Sequence, residues 1–400
     1  MPKNLSVLVI TSVYPRFDGD QEVPWLRASL LHLKNAGFKP VVVAPSHRAC
    51  PSKNIDGIKV RRFRYAPAKY EILTHDEGAP SKMAKNPLLQ LLAIPYIISG
   101  SILTLRLCFK FKPGIIHAHW PFPHGFMVFF AKIFYRVPVV LNFHGAEILL
   151  MRKKKWIKPF LKFFIKHANL IFANSSFTAK KIKEVYNKNV EISPYGTTFE
   201  SSHALLPSSR HKFAILFVGR HIERKGIEYL IKAAASLDSE KFQVRIAGAG
   251  DLTEKLKEQA EREAPKQIVF LGKMPKEDLA REYQNASCFV LPAVVDSKGD
   301  TEGLGVVLIE AAEYGLPLIA SDVGGIGDVV IHKKTGLLVP EKNPDALAGA
   351  IKELSENAGL QKALVLGASE HIKQNFSWDA IIKKQLELYG GILEHIYSAT

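Results

Sequence analysis

Two carboxylates eight positions apart, Glu302 and Glu310, flank a pair of glycines in DTEGLGVVLIEAAEYGLPLIASDVGG, residues 300–325. Gly303 and Gly305 lie between them, and an apolar helical pattern over Val306–Tyr314 starts at once. A helix that begins on glycines turns free backbone N–H groups and the positive end of its dipole toward whatever lies ahead, which suits an anion. Glu302 then falls in the loop before the helix. Glu310 falls one turn inside it, placed to accept hydrogen bonds from a sugar's hydroxyls. Taken alone, a loop acid and a helix-surface acid would give the same pattern. A second constellation is LFVGRHIERKGIEYLIKAA, residues 216–234, where a strand ends at Gly219 and Arg220, Arg224 and Lys225 precede a helix. Cations in a strand-to-helix loop suit a phosphate or pyrophosphate. The Gly-Lys-Ser/Thr order of a Walker A loop is absent.

Three other signals are set aside. Asp18-Gly19-Asp20 has the form of an acidic pair that holds a divalent ion through hard oxygens, but it sits in the loop after the first strand. His117, His119, His124 and His144 could gather at one strand edge. A metal would need three or four convergent ligands, and one functional histidine among structural ones is the simpler reading, so no metal site is assigned. Gly248-Ala249-Gly250 lacks the third glycine and the distant acid of a dinucleotide fingerprint and reads as a strand-to-helix turn.

The basic run RKKKWIKPFLKFFIK, Arg152–Lys166, has seven cations and no acid. At helical spacing Lys155, Lys158, Lys162 and Lys166 share one side, and Trp156, Phe160, Phe163 and Phe164 another. Such a helix suits an anionic membrane surface. It also suits a surface helix whose aromatic face packs on its own core. Pro159 is tolerable only near a helix start.

The elements that must position these residues alternate. Strands are expected at Ser6–Ile10, Pro40–Ala44, Ile58–Arg62, Ile115–Ala118, Val137–Asn142, Leu170–Ala173 and Val190–Ser193. Helices are expected at Pro24–Ala36, around Gly125–Tyr135 and at Ser175–Tyr186. After a Ser/Pro-rich linker, Ser201–Arg210, the alternation restarts. Ala214–Val218, Val244–Ala247, Ile268–Leu271, Cys288–Leu291, Leu318–Ala320 and Gly336–Val339 read as strands, Ile227–Leu237 as a helix, and Trp378–Ile396 as a long closing helix. This is the pattern of an α/β chain with two parallel sheets covered by helices, two Rossmann-like domains that would bind substrates between them, at the carboxyl ends of the strands.

At 400 residues, with 47% hydrophobic and 23% charged side chains, the chain has an ordinary folded composition, which excludes wholesale disorder, a disulfide miniprotein and a polytopic membrane protein. The apolar segment Leu88–Leu107 approaches span length, but it contains Gln90, Pro95, Ser99, Gly100, Thr104 and Arg106, which argues against a span. Three scattered cysteines, Cys50, Cys108 and Cys288, and no visible signal peptide fit a cytoplasmic protein with reduced thiols. The net charge of +16 is uneven. Residues 1–195 hold 30 Lys and Arg against 10 acids, and residues 196–400 hold 24 against 28. A first half at +20 points to a polyanion or an anionic surface as its partner.

Read in order, GRHIERKG at 219–226, AGAGD at 247–251, FLGKMPKEDL at 270–279, VLPA at 290–293, EGLGVVLIE at 302–310, GLPLIASDVGG at 315–325 and TGLLVP at 335–340 resemble the C-terminal half of glycosyltransferase family 4, retaining enzymes of the GT-B fold. IIHAHW at 115–120, HGAE at 144–147 and SPYGTTF at 193–199 agree more loosely with the N-terminal half, and the tail from Phe376 fits a last helix that crosses back. The resemblance implies an acceptor-side domain at 1–200, a linker at 201–211, a donor-binding domain at 212–376 and a returning helix at 377–400, the domains facing each other across a deep cleft. By the same resemblance, Arg220 and Lys225 grip the donor pyrophosphate and Glu310 binds the nucleotide ribose. Glu302 contacts the transferred sugar, and the backbone of Gly303, Leu304, Gly305 and Val306 lies against sugar and phosphate. His144 stands beside the reacting sugar carbon, and Gly19 lies near the diphosphate. The chain departs from the family where Asp18-Gly19-Asp20 replaces two glycines, Glu147 replaces Asp, and Gly327-Asp328 replaces Pro-Glu.

The function so implied is transfer of a sugar from a nucleotide-diphosphate sugar to a lipid-linked or polysaccharide acceptor, in bacterial surface polysaccharide synthesis. It would be metal-independent, without a cofactor beyond the donor, and peripheral on the inner face of the plasma membrane. A nucleotide-sugar 2-epimerase of the same fold is the alternative, and a non-catalytic basic binder of membrane or nucleic acid the next. No nucleic-acid module is recognisable, so nucleic acid is not expected as a partner.

Overall fold

The computed structural model describes residues 5–20, 22–75, 79–197 and 212–397. The linker expected at 201–211 lies outside the described residues. The chain divides into two compact units, Met1–Gly196 with Trp378–Thr400, and Thr197–Ser377.

The first unit runs β1 (Ser6–Ile10), α1 (Pro24–Asn35), β2 (Lys39–Pro45), β3 (Lys53–Ile55), β4 (Ile58–Phe63), α2 (Ala79–Lys85), α3 (Ala93–Phe111), β5 (Ile115–His119), α4 (Pro121–Tyr135), β6 (Val139–Phe143), α5 (Ala146–Lys153), α6 (Lys158–His167), β7 (Leu170–Ala173), α7 (Ser176–Tyr186) and β8 (Glu191–Ile192). The strand order is β3-β4-β2-β1-β5-β6-β7-β8, with only the β3–β4 pair antiparallel. Strands such as SVLVI and VVVAP are apolar throughout because both sheet faces are covered. Alternation then divides them. Leu8, Ile10, Val41 and Val43 enter one core with residues of α3, α4 and α6. Val7, Val9, Val42 and Ala44 enter the other, with Leu26, Leu30 and Leu33 of α1.

The second unit runs β9 (Phe213–Val218), α8 (Ile227–Ala235), β10 (Phe242–Ala247), α9 (Thr253–Glu263), β11 (Ile268–Gly272), α10 (Lys276–Asn285), β12 (Cys288–Leu291), α11 (Val306–Glu313), β13 (Leu318–Ser321), β14 (Leu337–Val339), α12 (Pro344–Glu356) and α13 (Ala358–Asn375). Its sheet is parallel, in the order β11-β10-β9-β12-β13-β14. Numbered within the unit this is 3-2-1-4-5-6, which reverses between β9 and β12. The first unit reverses in the same way between β1 and β5. The last helix, α14 (Trp378–Tyr397), belongs to the first unit and supplies Trp378, Ile381, Ile382, Tyr389 and Leu393 to the core beside α1.

Three expectations are corrected. β3, a three-residue antiparallel edge strand, is too short and polar (KNI) to carry a pattern. Helix α4 reaches back to Pro121, four residues before the helix expected around Gly125, but across a kink at Phe122 (φ −111°, ψ 122°). The run Arg152–Lys166 is not one helix: α5 ends at Lys153, Lys154 is non-helical (φ −124°, ψ 82°), a short turn holds Lys155–Ile157, and α6 begins at Lys158. Pro159 is the cause. It has no N–H to donate and its ring would strike the carbonyl of Lys155, so the helix can only start beside it. Lys155 therefore does not share α6 with Lys158, Lys162 and Lys166. Phe164 is buried, but Trp156, Phe160 and Phe163 are exposed.

Candidate active site

In the second unit, the loops that leave β9 and β12 meet at the point where the strand order reverses, the usual ligand position in such sheets. Gly226 makes the first loop possible. It has φ +64°, and a Cβ there would strike the Pro292 carbonyl oxygen. The short turn Glu223–Lys225 ahead of it presents three consecutive side chains to the other loop. Glu223 accepts from the N–H and hydroxyl of Ser297, at 2.6 and 2.7 Å. Arg224 Nη1 lies 2.8 Å from Asp300 Oδ2, and Lys225 Nζ lies 2.5 Å from Glu302 Oε2. The Lys225–Glu302 pair is nearly buried, at 10% and 12% side-chain exposure. Burial alone would raise the Glu302 carboxyl. Lys225, Arg224 and the Gly305 N–H overcome this and hold it below the usual carboxylate range. Arg220 is exposed, and among the described residues no carboxylate pairs with it.

Gly305 (φ +81°) is the N-cap of α11, and the neighbouring Leu304 is buried. Gly303 and Val306 are half-buried on either side. Glu310 accepts a 3.0 Å hydrogen bond from the Tyr283 hydroxyl. Burial pushes its carboxyl up to about 7, with Glu313 adding to the rise and Tyr283 opposing it. Tyr283 is fully buried and stacks on Tyr314 at 5.0 Å. The Thr301 hydroxyl is buried with no partner among the described residues. Behind these loops, the turn at Gly248–Gly250 presses backbone to backbone against Gly219 and His221, which is why Gly248 and Gly250 cannot carry a Cβ.

In the first unit, Gly19 (φ +88°) lies in the loop after β1. Asp20 organises that loop by accepting from the Arg16 backbone N–H at 2.8 Å and from Arg16 Nε at 2.7 Å. Asp18 accepts from the Asp56 N–H at 2.8 Å. The buried Arg62 guanidinium braces the same loop from beneath, donating to the carbonyls of Pro45, Tyr14 and Pro15 at 3.0, 3.1 and 2.6 Å. Asp20 thus serves the loop's own backbone, and Asp18 ties the loop to the β3–β4 turn.

The histidines do gather, at the ends of β5 and β6. His144 Nε2 lies 3.1 Å from His119 Nδ1, and His144 Nδ1 lies 2.6 Å from the Tyr195 hydroxyl. Both of its ring nitrogens are engaged. His124 Nδ1 lies 2.6 Å from the His119 carbonyl, which can only accept, so Nδ1 carries the proton and Nε2 accepts from Tyr96 at 3.0 Å. His117 is tied to Tyr389 of α14 at 2.7 Å. Burial depresses the four imidazoles, His117 and His144 to about 3 and His124 to about 4, and they are neutral at pH 7. Glu147, in the first turn of α5, accepts from the His144 N–H at 3.2 Å and is raised by burial to about 7. Trp25 and Trp120 stand against His144 with ring centroids at 5.0 and 4.5 Å.

The structure therefore brings Arg220, Lys225, Glu302, Gly303–Val306 and Glu310 together in the second unit. His144 and Gly19 follow the strand ends on either side of the reversal in the first. Sequence reasoning missed Tyr283, Thr301, Arg62, Trp25, Trp120 and Tyr195. Trp120, Tyr195 and Thr301 lie inside the runs IIHAHW, SPYGTTF and DTEGLG, and Trp25 stands beside Pro24 at an element boundary; Tyr283 and Arg62 left no signal.

Family comparison agrees with this geometry. The model for group 1 glycosyl transferases matches residues 199–371, and that for glycosyltransferase family 4 matches residues 27–198. An uncharacterized glycosyltransferase of Methanocaldococcus jannaschii is 26% identical over 333 residues, 82% of this chain and 91% of that protein. The amylovoran biosynthesis glycosyltransferase of Erwinia amylovora is 28% identical over 257 residues, 62% of this chain and 63% of that protein. Among solved structures, sucrose-phosphate synthase from Thermosynechococcus elongatus aligns with a TM-score of 0.77 at 19% identity, covering 99% of this chain and all of that one. Anabaena HepE, solved in complex with UDP, aligns with a TM-score of 0.70 at 17% identity, covering 97% of this chain and all of that one. The chain belongs to the group 1, family 4 glycosyltransferases, and its fold is GT-B.

Proposed function

We propose that this glycosyltransferase moves a sugar from a nucleoside-diphosphate sugar to a lipid-linked or polysaccharide acceptor, with retention of configuration, in assembly of a bacterial surface polysaccharide. The second unit takes the donor and the first unit the acceptor. The observation that carries this reading is the exposed Arg220, beside the buried Lys225–Glu302 pair and the glycine-capped start of α11. As the sugar becomes oxocarbenium-like, negative charge collects on the departing diphosphate. Arg220, Lys225 and the α11 N–H groups stabilise that charge without a metal or further cofactor. Glu302, kept ionised, accepts from the sugar's hydroxyls. Glu310, anchored at one oxygen by Tyr283, accepts from the ribose. Attack comes from the face the diphosphate leaves, and a diphosphate oxygen takes the acceptor's proton, which preserves configuration. His144 reaches the sugar by exchanging one of its two ring hydrogen bonds, and Trp25 and Trp120 offer apolar walls to a sugar ring. The amylovoran relative and the UDP-bound HepE neighbour support the acceptor class and the donor class. We place the enzyme in the cytoplasm, at the inner face of the plasma membrane.

A donor screen tests this. Purified protein is heated with UDP-, GDP- and ADP-sugars, and the melting shift is read with and without Arg220→Ala. A shift with one nucleotide family that Arg220→Ala removes supports the reading, and the anomeric configuration of the product, read by NMR, decides retention. Release of an altered nucleotide sugar with no acceptor present would make the protein an epimerase instead.

A further inference from the structure

Helices that cover a sheet normally turn a polar side to water. Three adjacent helices of the first unit do the reverse. On α3 the buried side is Tyr96, Gly100, Thr104 and Leu107. The outward side is a stripe of Ile94, Ile98, Ile102 and Phe109, with Ile94 65% and Phe109 73% exposed. On α4, Phe130, Ile133 and Phe134 point outward, the last 68% exposed. Trp156, 58% exposed, Phe160 and Phe163 continue the surface along α6 and its leading turn. The aromatic rings join across the helices: Phe122 meets Trp156 at 5.8 Å, Phe126 meets Phe160 at 5.2 Å, and Phe129 meets Phe163 at 4.7 Å. An outward apolar surface of this extent on one unit marks an interaction site.

Its charge selects the partner. From Pro87 to His167 the chain carries 12 Lys and Arg and a single acid, Glu147, which is buried. Lys158, Lys162 and Lys166 line one flank of α6, and Arg106, Lys110 and Arg136 stand toward the C-terminal ends of α3 and α4, all exposed. Apolar and aromatic side chains ringed by cations match the headgroup–acyl boundary of an anionic bilayer.

We infer that the joint outer face of α3, α4 and α6 is a docking surface that lies in the plane of an anionic lipid bilayer. The stretch Pro87–Phe111 is long and apolar enough to cross a membrane by length and composition. It does not span, because its other side is committed to the fold. Gly100 abuts Met127, and Tyr96 is bonded to His124. A spanning orientation would strip the sheet of its cover. The contact rests on this surface alone, independently of which sugar the second unit handles.

The test uses the full chain with vesicles of phosphatidylcholine alone and of phosphatidylcholine with phosphatidylglycerol. Of the four tryptophans only Trp156 is largely exposed. The expected result is sedimentation with the anionic vesicles and a blue shift of tryptophan emission. Trp156→Phe abolishes the shift while still sedimenting. Lys158→Ser, Lys162→Ser and Lys166→Ser together lower partitioning ~100-fold, taking ~1 kcal/mol per cation at the surface. Folded protein that sediments with neither vesicle overturns the proposal. So does sedimentation without a blue shift that high salt abolishes, since only the lysines would then touch lipid. Concentration-dependent dimerisation that shields Trp156 from a soluble quencher without lipid gives the face to a second copy and also overturns it. The donor melting shift is read without vesicles, so failure of one reading is separable from failure of the other.

Discussion

Lys225 and Glu302, 77 positions apart, share a 2.5 Å ion pair with both side chains nearly buried. Lys225 therefore holds Glu302 ionised, and in the proposed donor site it also faces the diphosphate. Removing one partner of a buried pair leaves an uncompensated charge and costs about 3–5 kcal/mol. Lys225→Ala should unfold several degrees early and give no donor-dependent melting shift. The double variant Lys225→Met, Glu302→Leu, which removes both charges, should recover most of the lost stability and still show no shift. If Lys225→Ala melts like the wild type, the pair contributes nothing and its described geometry is wrong.

Arg220 separates binding from stability. It is exposed and no carboxylate pairs with it among the described residues, so Arg220→Ala should move the stability of the free protein by less than about 0.5 kcal/mol. A charge-assisted hydrogen bond to the diphosphate is worth about 1.5–3 kcal/mol, so donor affinity should fall roughly 10- to 100-fold. Titration calorimetry with the donor class found in the screen measures this. Unchanged affinity would remove Arg220 from the donor site.

The buried histidines set the acid limit. His75, His117, His119, His124 and His144 all have folded values depressed by burial, three of them to about 3 and His124 to about 4. For a depressed histidine the stability is present above the unfolded value, about 6.5, and is lost as pH falls toward the folded value. Below pH 6.5 the unfolded chain approaches full protonation at all five sites, protons that the folded sites refuse. Glu147, Glu310 and Glu313, whose folded values burial raises, oppose part of this, and His221, also depressed, adds to it; the histidines outnumber the acids, so stability falls as pH drops. The protein should lose stability progressively as pH falls from 6.5, before its ordinary carboxylates titrate. Circular dichroism against pH checks this, and stability that holds to pH 4 would contradict the buried, neutral cluster.

Glu147 gives the opposite sign. Burial raises its folded value to about 7 from an unfolded value near 4.5, so the folded state holds the proton more tightly and stability declines as pH rises from 4.5 through 7. Glu147→Gln, which keeps an acceptor for the His144 N–H but cannot ionise, should be neutral at low pH and stabilising by up to about 3 kcal/mol at pH 8. Denaturant midpoints at the two pH values measure the difference. Equal effects at both would show that Glu147 is not buried in its ionised form.

Much of this architecture was legible in the sequence because parallel strands buried on both sides stand out as short apolar runs, and FAILFV and LIAS sit where the pattern put them. The loops with Arg220, Lys225, Glu302 and Glu310 were legible because each lies one step beyond a strand. Their pairing was not. That Glu223, Arg224 and Lys225 meet Ser297, Asp300 and Glu302 depends on which strands become neighbours, which no local spacing reveals. Arg62 was hidden for the same reason: in sequence it is one of two adjacent arginines, and only the fold places it under the Gly19 loop. The break at Lys154 is legible in Pro159, whose missing N–H outweighs the charge periodicity of the run.

The helix α14 makes the second unit an insertion in the first. Trp378, Ile381, Tyr389 and Leu393 complete a core whose strands were translated before residue 197. At about 5–20 residues per second, synthesis of the intervening stretch takes roughly 10–40 s. During that interval the second unit can finish folding on the ribosome while the first, although older, still lacks one wall. Its sheet surface around Val7, Val42 and Val140 and the unpartnered His117 then stand open to chaperones and proteases. A defect in α14 would therefore show as poor yield of the first unit, with the second intact.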